Sequence, residues 1–260
     1  MQQIYLSHNT ALEVIRSLRL SHGDLTSADL LVKQLILPNN TSQNSHILIA
    51  DILINDINKK SSSTQYNYHI KQKHLPKLSF FRLSNKIYCS SGEFTTVQLA
   101  KKLCYEHLFL LVLELCGTYT IDINSQDVVS QLEAFTTVKN LKTYAEKFKG
   151  LNPHTHGMNN LLEILDIAED NSASPMESRL FVKLCGPRKR GCYNCKNLKM
   201  NNSVYLSEKA SRIAGQKIVK PDLSCIEKKI AIEYDSTQFH ENTEQGQKDK
   251  RRRDALVFDG

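Results

Sequence analysis

Two short apolar segments in the last third of the chain constrain its fold more than any other feature. Ile218-Val219-Lys220-Pro221-Asp222-Leu223-Ser224-Cys225-Ile226 and Lys229-Ile230-Ala231-Ile232-Glu233-Tyr234-Asp235 read as two strands joined at Glu227-Lys228, which predicts a hairpin. A turn centred there pairs positions whose numbers sum to 455. Cys225 then faces Ile230 and Leu223 faces Ile232 on an apolar face, and Asp222 faces Glu233 on the opposite one. Glu-Lys is not the Asn-Gly type that two-residue loops prefer, but a four-residue loop with the same centre keeps the pairing. Opposed carboxylates have Cβ atoms roughly 4.5–5.5 Å apart and repel. Water, a raised pKa or a cation must offset that repulsion. Mg²⁺ takes oxygen ligands and typically uses one or two carboxylates plus substrate phosphate. Asp235 follows on the same face as Glu233, opposite Lys220.

Upstream, Ser174-Pro175-Met176-Glu177 opens a helix. Ser174 suits the N-cap and Pro175 the first turn, with Met176, Leu180, Phe181 and Leu184 as the expected apolar stripe. Ser-x-x-Glu is also a capping box, which accounts for Glu177 without any catalytic role. Downstream, Phe239-His240 lies in a polar stretch. Gln247 to Leu256 then predicts a helix with Lys248, Arg251 and Arg252 near one face, suited to phosphates. Residues 174–260 hold 18 Lys and Arg against 11 Asp and Glu, which is the whole net charge of +7. That concentration points to an anionic partner, nucleic acid before anionic membrane.

The remainder has fewer landmarks. Gln3 to Ser7 predicts a strand and Thr10 to Leu20 a helix. Asp24 to Asp29 leads into another apolar run. Leu83 to Cys89 predicts a strand, Thr95 to Cys116 one long buried helix ended by Gly117, Ser125 to Lys149 a helix with Val128, Leu132, Phe135 and Val138 on one stripe, and Met158 to Ala168 another helix. Asp170 to Ser174 is small and polar and marks the domain boundary, giving an N-terminal region over 1–170 and a second domain over 174–260. The longest apolar run, Leu108 to Leu113, is far short of the roughly 20 residues of a membrane span. Seven cysteines behind an N-terminus without signal-peptide character predict free thiols in a reducing cytoplasm.

Taken in order, Ser-Pro-Met-Glu-Ser-Arg-Leu, Lys-Pro-Asp-Leu, Ile-Ala-Ile-Glu-Tyr-Asp-Ser-Thr-Gln-Phe-His and Lys-Asp-Lys-Arg-Arg-Arg-Asp-Ala-Leu resemble the very-short-patch-repair-like branch of the PD-(D/E)XK nuclease superfamily. The resemblance covers Ser174 to Gly260. It implies a restriction-endonuclease-like α-β-β-β-α-β core and a Mg²⁺- or Mn²⁺-dependent phosphodiester-cleaving site. By residue it implies Glu177 as the first-helix acid, Asp222 as the Pro-Asp metal ligand, Glu233 and Asp235 on the next strand and His240 after it. The superfamily's strand lysine is replaced by Asp235, so Lys220 becomes a substitute. The core expects one further strand beyond Asp259-Gly260.

Cys185, Cys192, Cys195 and Cys225 have the makings of a zinc site, but no second Cys-x-x-Cys accompanies Cys192-x-x-Cys195 and Cys225 is needed on the apolar strand face, so structural zinc is the lesser expectation. The expected protein is thus α/β throughout: a helix-rich N-terminal α/β region and a cytoplasmic, bacterial, metal-dependent DNA endonuclease. In that reading Asp222 and Glu233 hold the metal and Lys248, Arg251 and Arg252 grip DNA. The alternatives are a DNA-binding regulator or antitoxin-like protein with an inactive nuclease fold, and an interaction protein whose basic face is incidental.

Overall fold

The computed structural model describes residues 3–24, 49–56, 60, 66–122, 125–234 and 244–259. Asp235, His240 and the apolar run after Asp29 lie outside the described residues. The chain is mixed α/β and divides into two compact units, Met1–Asp170 and Asn171–Gly260. Among the described residues, no helix is long and apolar enough to cross a membrane.

In the first unit a five-stranded mixed sheet has the order β3-β2-β1-β5-β4. Its strands are β1 (Ile4–Leu6), β2 (Ala50–Ile54), β3 (Tyr66–Ile70), β4 (Phe80–Ser84) and β5 (Ile87–Ser90). Helix α1 (His8–Leu20) turns its Ala11, Val14 and Leu18 stripe onto Leu6, Leu83 and Cys89 of the sheet. The strand expected over Leu83 to Cys89 is instead a hairpin. Its turn at Asn85-Lys86 puts Lys86 in the left-handed region at φ 69°, and β4 pairs antiparallel with β5.

The single helix expected from Thr95 to Cys116 is two, α2 (Gly92–Leu99) and α3 (Tyr105–Leu115). The corner between them is occupied. A Cβ on Gly157, whose φ is +82°, would stand 2.1 Å from the Ala100 carbonyl oxygen, so the chain passes there only because residue 157 has no side chain. The helix expected from Ser125 starts much later. Val128–Val129 is a strand, β7, paired with β6 (Thr120–Ile121), Gln126 and Gln131 have positive φ, and α4 (Val138–Leu151) begins only after Thr137 caps the Asn140 N–H. Helix α5 (Met158–Leu165) follows.

Buried Arg19 ties this unit together. It donates to the carbonyls of Glu114, Gly117, Tyr119 and Glu133 at distances from 2.7 to 3.3 Å, closing the C-terminal end of α3. One turn earlier, Arg16 makes a bidentate pair with Glu114 at 2.8 and 2.7 Å.

The second unit opens with α6 (Pro175–Cys185), then β8 (Lys199–Met200), β9 (Val204–Tyr205), α7 (Glu208–Ala214), β10 (Ile218–Val219), β11 (Leu223–Cys225), β12 (Ile230–Ile232) and α8 (Glu244–Asp259). Strands β8, β11 and β12 form an antiparallel sheet with β11 in the centre, and β9 pairs with β10 in a separate ribbon. The continuous strand expected from Ile218 to Ile226 is therefore broken. Pro221 has no N–H to give a ladder, and the chain passes there from one sheet to the other. The hairpin register pairs Cys225 with Ile230 and Leu223 with Ile232, as the sequence predicts. A four-residue loop, a 3₁₀ turn over Ile226–Lys228 with Lys229 left-handed at φ 51°, closes it. On α6 the buried stripe is Glu177, Ser178, Phe181, Val182 and Cys185, rotated from the expected one, and Met176 is exposed.

Candidate active site

Five elements of the second unit bring Glu177, Asn201, Asp222, Glu233 and Arg252 into one neighbourhood. Helix α6 begins as its sequence dictates. Ser174 is extended, its Oγ accepts from the Glu177 N–H at 3.2 Å, and Pro175 fills the first turn. In a closed capping box the glutamate would return to the Ser174 N–H. Here Glu177 Oε2 accepts instead from the Ala173 N–H at 3.0 Å and from Asn201 Nδ2 at 2.7 Å. The carboxylate thus helps to cap the helix and also takes a bond from across the unit, and it is buried.

Asn201 follows β8 in the left-handed region at φ 46°. Its N–H donates to the Asp222 carbonyl at 3.0 Å and its amide reaches both Glu177 and the Asn171 carbonyl. One asparagine therefore fixes the spacing between the α6 acid and the Pro-Asp corner. Sequence reading missed it. The available signal was an Asn-Asn pair just after a short apolar strand, where asparagine favours left-handed backbone.

Asp222 sits in the bend between Pro221 and β11, half-buried, and its Oδ2 accepts from the Tyr234 N–H at 2.6 Å. Burial pushes its pKa from 3.8 up to about 6, and the nearby charges of Glu177 and Glu233 push the same way against the Tyr234 N–H and Arg252. Glu233 continues β12 beyond Ile232, as Asp222 precedes Leu223 on β11, so the register leaves both acids at one end of the ladder. Glu233 Oε1 accepts from Arg252 Nη2 of α8 at 2.7 Å. Arg252 Nε is buried and has no partner among the described residues.

The other expected site residues that the structure describes are exposed. Lys220 is exposed in the link between β10 and β11, and Lys248 and Arg251 are exposed on α8. Arg252 does not share that exposure, because its guanidinium is turned to Glu233. No group of three or more His, Cys, Asp and Glu side chains suited to a metal ion occurs among the described residues, and this holds for Cys185, Cys192 and Cys195 as well. Cys185 is buried, and Cys192 lies against Gly186, where an added Cβ would stand 2.8 Å from its Sγ. What the site presents is a pair, Asp222 and Glu233, supported by Glu177.

Neither a protein-family model, a curated protein nor a solved structure matches the chain.

The raised pKa of Asp222 has a measurable consequence. The folded state holds this proton more tightly than the unfolded chain does. The contribution to stability is full below the unfolded value and is lost as pH rises through the folded one. Between pH 3.8 and about 6 the parent protein should lose stability relative to Asp222→Asn, which has no such proton to release. Urea midpoints of the two proteins across that window check the sign, and parallel curves would refute it.

Proposed function

We propose that residues 174–260 act as a metal-dependent DNA endonuclease of the very-short-patch-repair-like kind. The observation that carries the reading is the gathering of three carboxylates, Glu177, Asp222 and Glu233, around one point, with Glu233 paired to Arg252. Helix α6, the antiparallel sheet of β8, β11 and β12, and helix α8 supply the parts of a restriction-endonuclease-like core, with β9, α7 and β10 inserted between β8 and β11.

The donor set suits a hard divalent cation. Asp222 and Glu233 supply carboxylate oxygens, and a cation would offset the burial and the repulsion that raise the Asp222 pKa. Mg²⁺ or Mn²⁺ bound there supplies Lewis-acid activation of the phosphate and of a water. Glu177 orients the attacking water by its negative charge and is itself held by Ala173 and Asn201. Arg252 positions Glu233. Proton transfer falls to Lys220 or His240, and Lys248 and Arg251 contact the DNA backbone.

The Arg252–Glu233 pair also favours a second reading. An arginine on the metal-ligand carboxylate is what a site that binds DNA without cutting it would keep. Supercoiled plasmid with Mg²⁺ and an EDTA control separates the two. Metal-dependent nicking supports the nuclease, a mobility shift without cleavage supports the regulator, and neither result supports an interaction protein.

The two arginines should also behave differently in DNA binding. Arg251→Ala should flatten the salt dependence of duplex binding by about 0.9 units of slope, one phosphate contact. Arg252→Ala should change it by less, since Glu233 already neutralises that charge. Equal slopes for parent and Arg251→Ala would place Arg251 in solvent in the complex.

A further inference from the structure

The first unit contains a pocket of about 380 Å³ that the nuclease reading does not use, lined among others by His8, His69, Gln98, Lys101 and Lys102. Its size lies in the range of about 300–1,000 Å³ typical of small-ligand sites. Strand β1 leads directly into it. His8, the first residue of α1, has φ 49°, a left-handed conformation that a non-glycine residue keeps only when its surroundings enforce it.

The enforcing contacts are specific. The His8 N–H donates to Gln98 Oε1 at 3.0 Å, and His8 Nδ1 lies 3.0 Å from the buried Ser7 Oγ. The His8 ring stacks on His69 with centroids 3.8 Å apart, and His69 Nε2 is 2.6 Å from Asp51 Oδ1. Because an N–H donor needs an acceptor, the Gln98 oxygen must face His8, and this fixes the orientation of the amide. The NH₂ group is left over. Gln98 is only 4% exposed, and its Nε2 has no partner among the described residues. A buried donor without an acceptor, on the wall of a pocket, asks for an acceptor from a ligand.

The charges around the pocket say which kind. Asp51 is engaged by His69, and burial first, then Asp51, raise the pKa of Glu13 against the pull of Arg16. Lys101 and Lys102 act on His8 as positive charges and form no ion pair among the described residues. Burial first, then His69, Lys102 and Lys101, push the His8 pKa down to about 3, so its imidazole is neutral at pH 7. Two ammonium groups and an orphan amide suit a multi-oxygen anion, and the rings of Tyr68, Phe94 and Phe148 line the same pocket and suit an organic body attached to it.

We propose that this pocket binds a small phosphomonoester, its phosphate dianion taken by Gln98, Lys101 and Lys102 and its organic part by the aromatic lining. The proposal is independent of the endonuclease reading, which concerns the other unit.

Titration calorimetry of the full chain tests it, with orthophosphate, adenosine 5′-monophosphate and, as the uncharged control, adenosine. Adenosine 5′-monophosphate should bind and adenosine should not. Gln98→Glu keeps the acceptor for the His8 N–H and replaces the free NH₂ with negative charge, so it should weaken binding at least about tenfold. Lys101→Ala with Lys102→Ala, both exposed, should weaken it similarly without threatening the fold, and Asp222→Asn should leave it unchanged. Orthophosphate binding as tightly as the nucleotide assigns the site to free phosphate, and a tighter nucleotide assigns it to the monoester. The proposal is overturned if no phosphate probe binds at millimolar concentration, if adenosine binds as well as its phosphate, or if both pocket variants bind like the parent.

Discussion

Asp222→Asn should remove metal-dependent nicking, by roughly 100-fold or more, while the second unit stays folded. Disturbing the residues that merely support a metal ligand already costs about 10–100-fold in affinity or activity, and the ligand itself should stand at or above that range. Asparagine keeps an oxygen for the Tyr234 N–H, so the bend after Pro221 survives. What it loses is the charge that a cation would use. Mg²⁺ or Mn²⁺ should raise the melting temperature of the parent, because a ligand bound only by the native state stabilises it, and the shift should vanish in the variant. Glu177→Gln is the companion. Its amide oxygen can still accept from the Ala173 N–H and Asn201, so stability is kept, but no negative charge remains to orient water. A retained metal shift and parental nicking in Asp222→Asn would remove this residue from the site. Parental nicking in Glu177→Gln would leave that glutamate as a helix cap only.

Arg19→Leu should produce the largest loss of stability in the first unit, at least about 3 kcal/mol by urea unfolding. Four carbonyls at the end of α3 and in the segments that follow share this one guanidinium, and leucine removes every one of those bonds, leaving the Glu114 carbonyl only the Gly117 N–H. Arg19→Lys should recover little of it. An ammonium is a single point with three donors, whereas the observed contacts use the planar fork of Nε, Nη1 and Nη2. A variant within 1 kcal/mol of the parent, a threshold set by the lower bound for one unpaired buried group, would show that water replaces the arginine.

The hairpin carrying Asp222 and Glu233 was readable because its signal is local and two-sided. Alternation sets the face, and the centre of the turn sets the register, so Leu223 opposite Ile232 follows from counting. The start of α6 was readable for the same reason, since Ser174, Pro175 and Glu177 act within one turn. Asn201 was not, because its role depends on a long-range bond to Glu177 and another to the Asp222 backbone, and neither leaves a periodic trace. Nor was the partner of Arg252 legible. A run of three arginines on a helix reads as a phosphate grip, and only the packing of α8 shows which of them is turned toward an acid. In the first unit, the corner after Leu99 failed to show because no proline or glycine marks it locally. The glycine that permits it is Gly157, far along the chain.

The order in which the site's charges leave the ribosome follows from the position of Arg252. Glu177, Asp222 and Glu233 are all synthesised before it, and the guanidinium that answers Glu233 arrives 19 residues later. A nascent chain that has emerged only as far as Tyr234 carries three mutually repelling carboxylates and lacks their counter-charge. Closing β11 against β12 before α8 emerges would gather these carboxylates without Arg252. The counter-charge of the acidic cluster thus belongs to α8 and not to the strands that bear the acids.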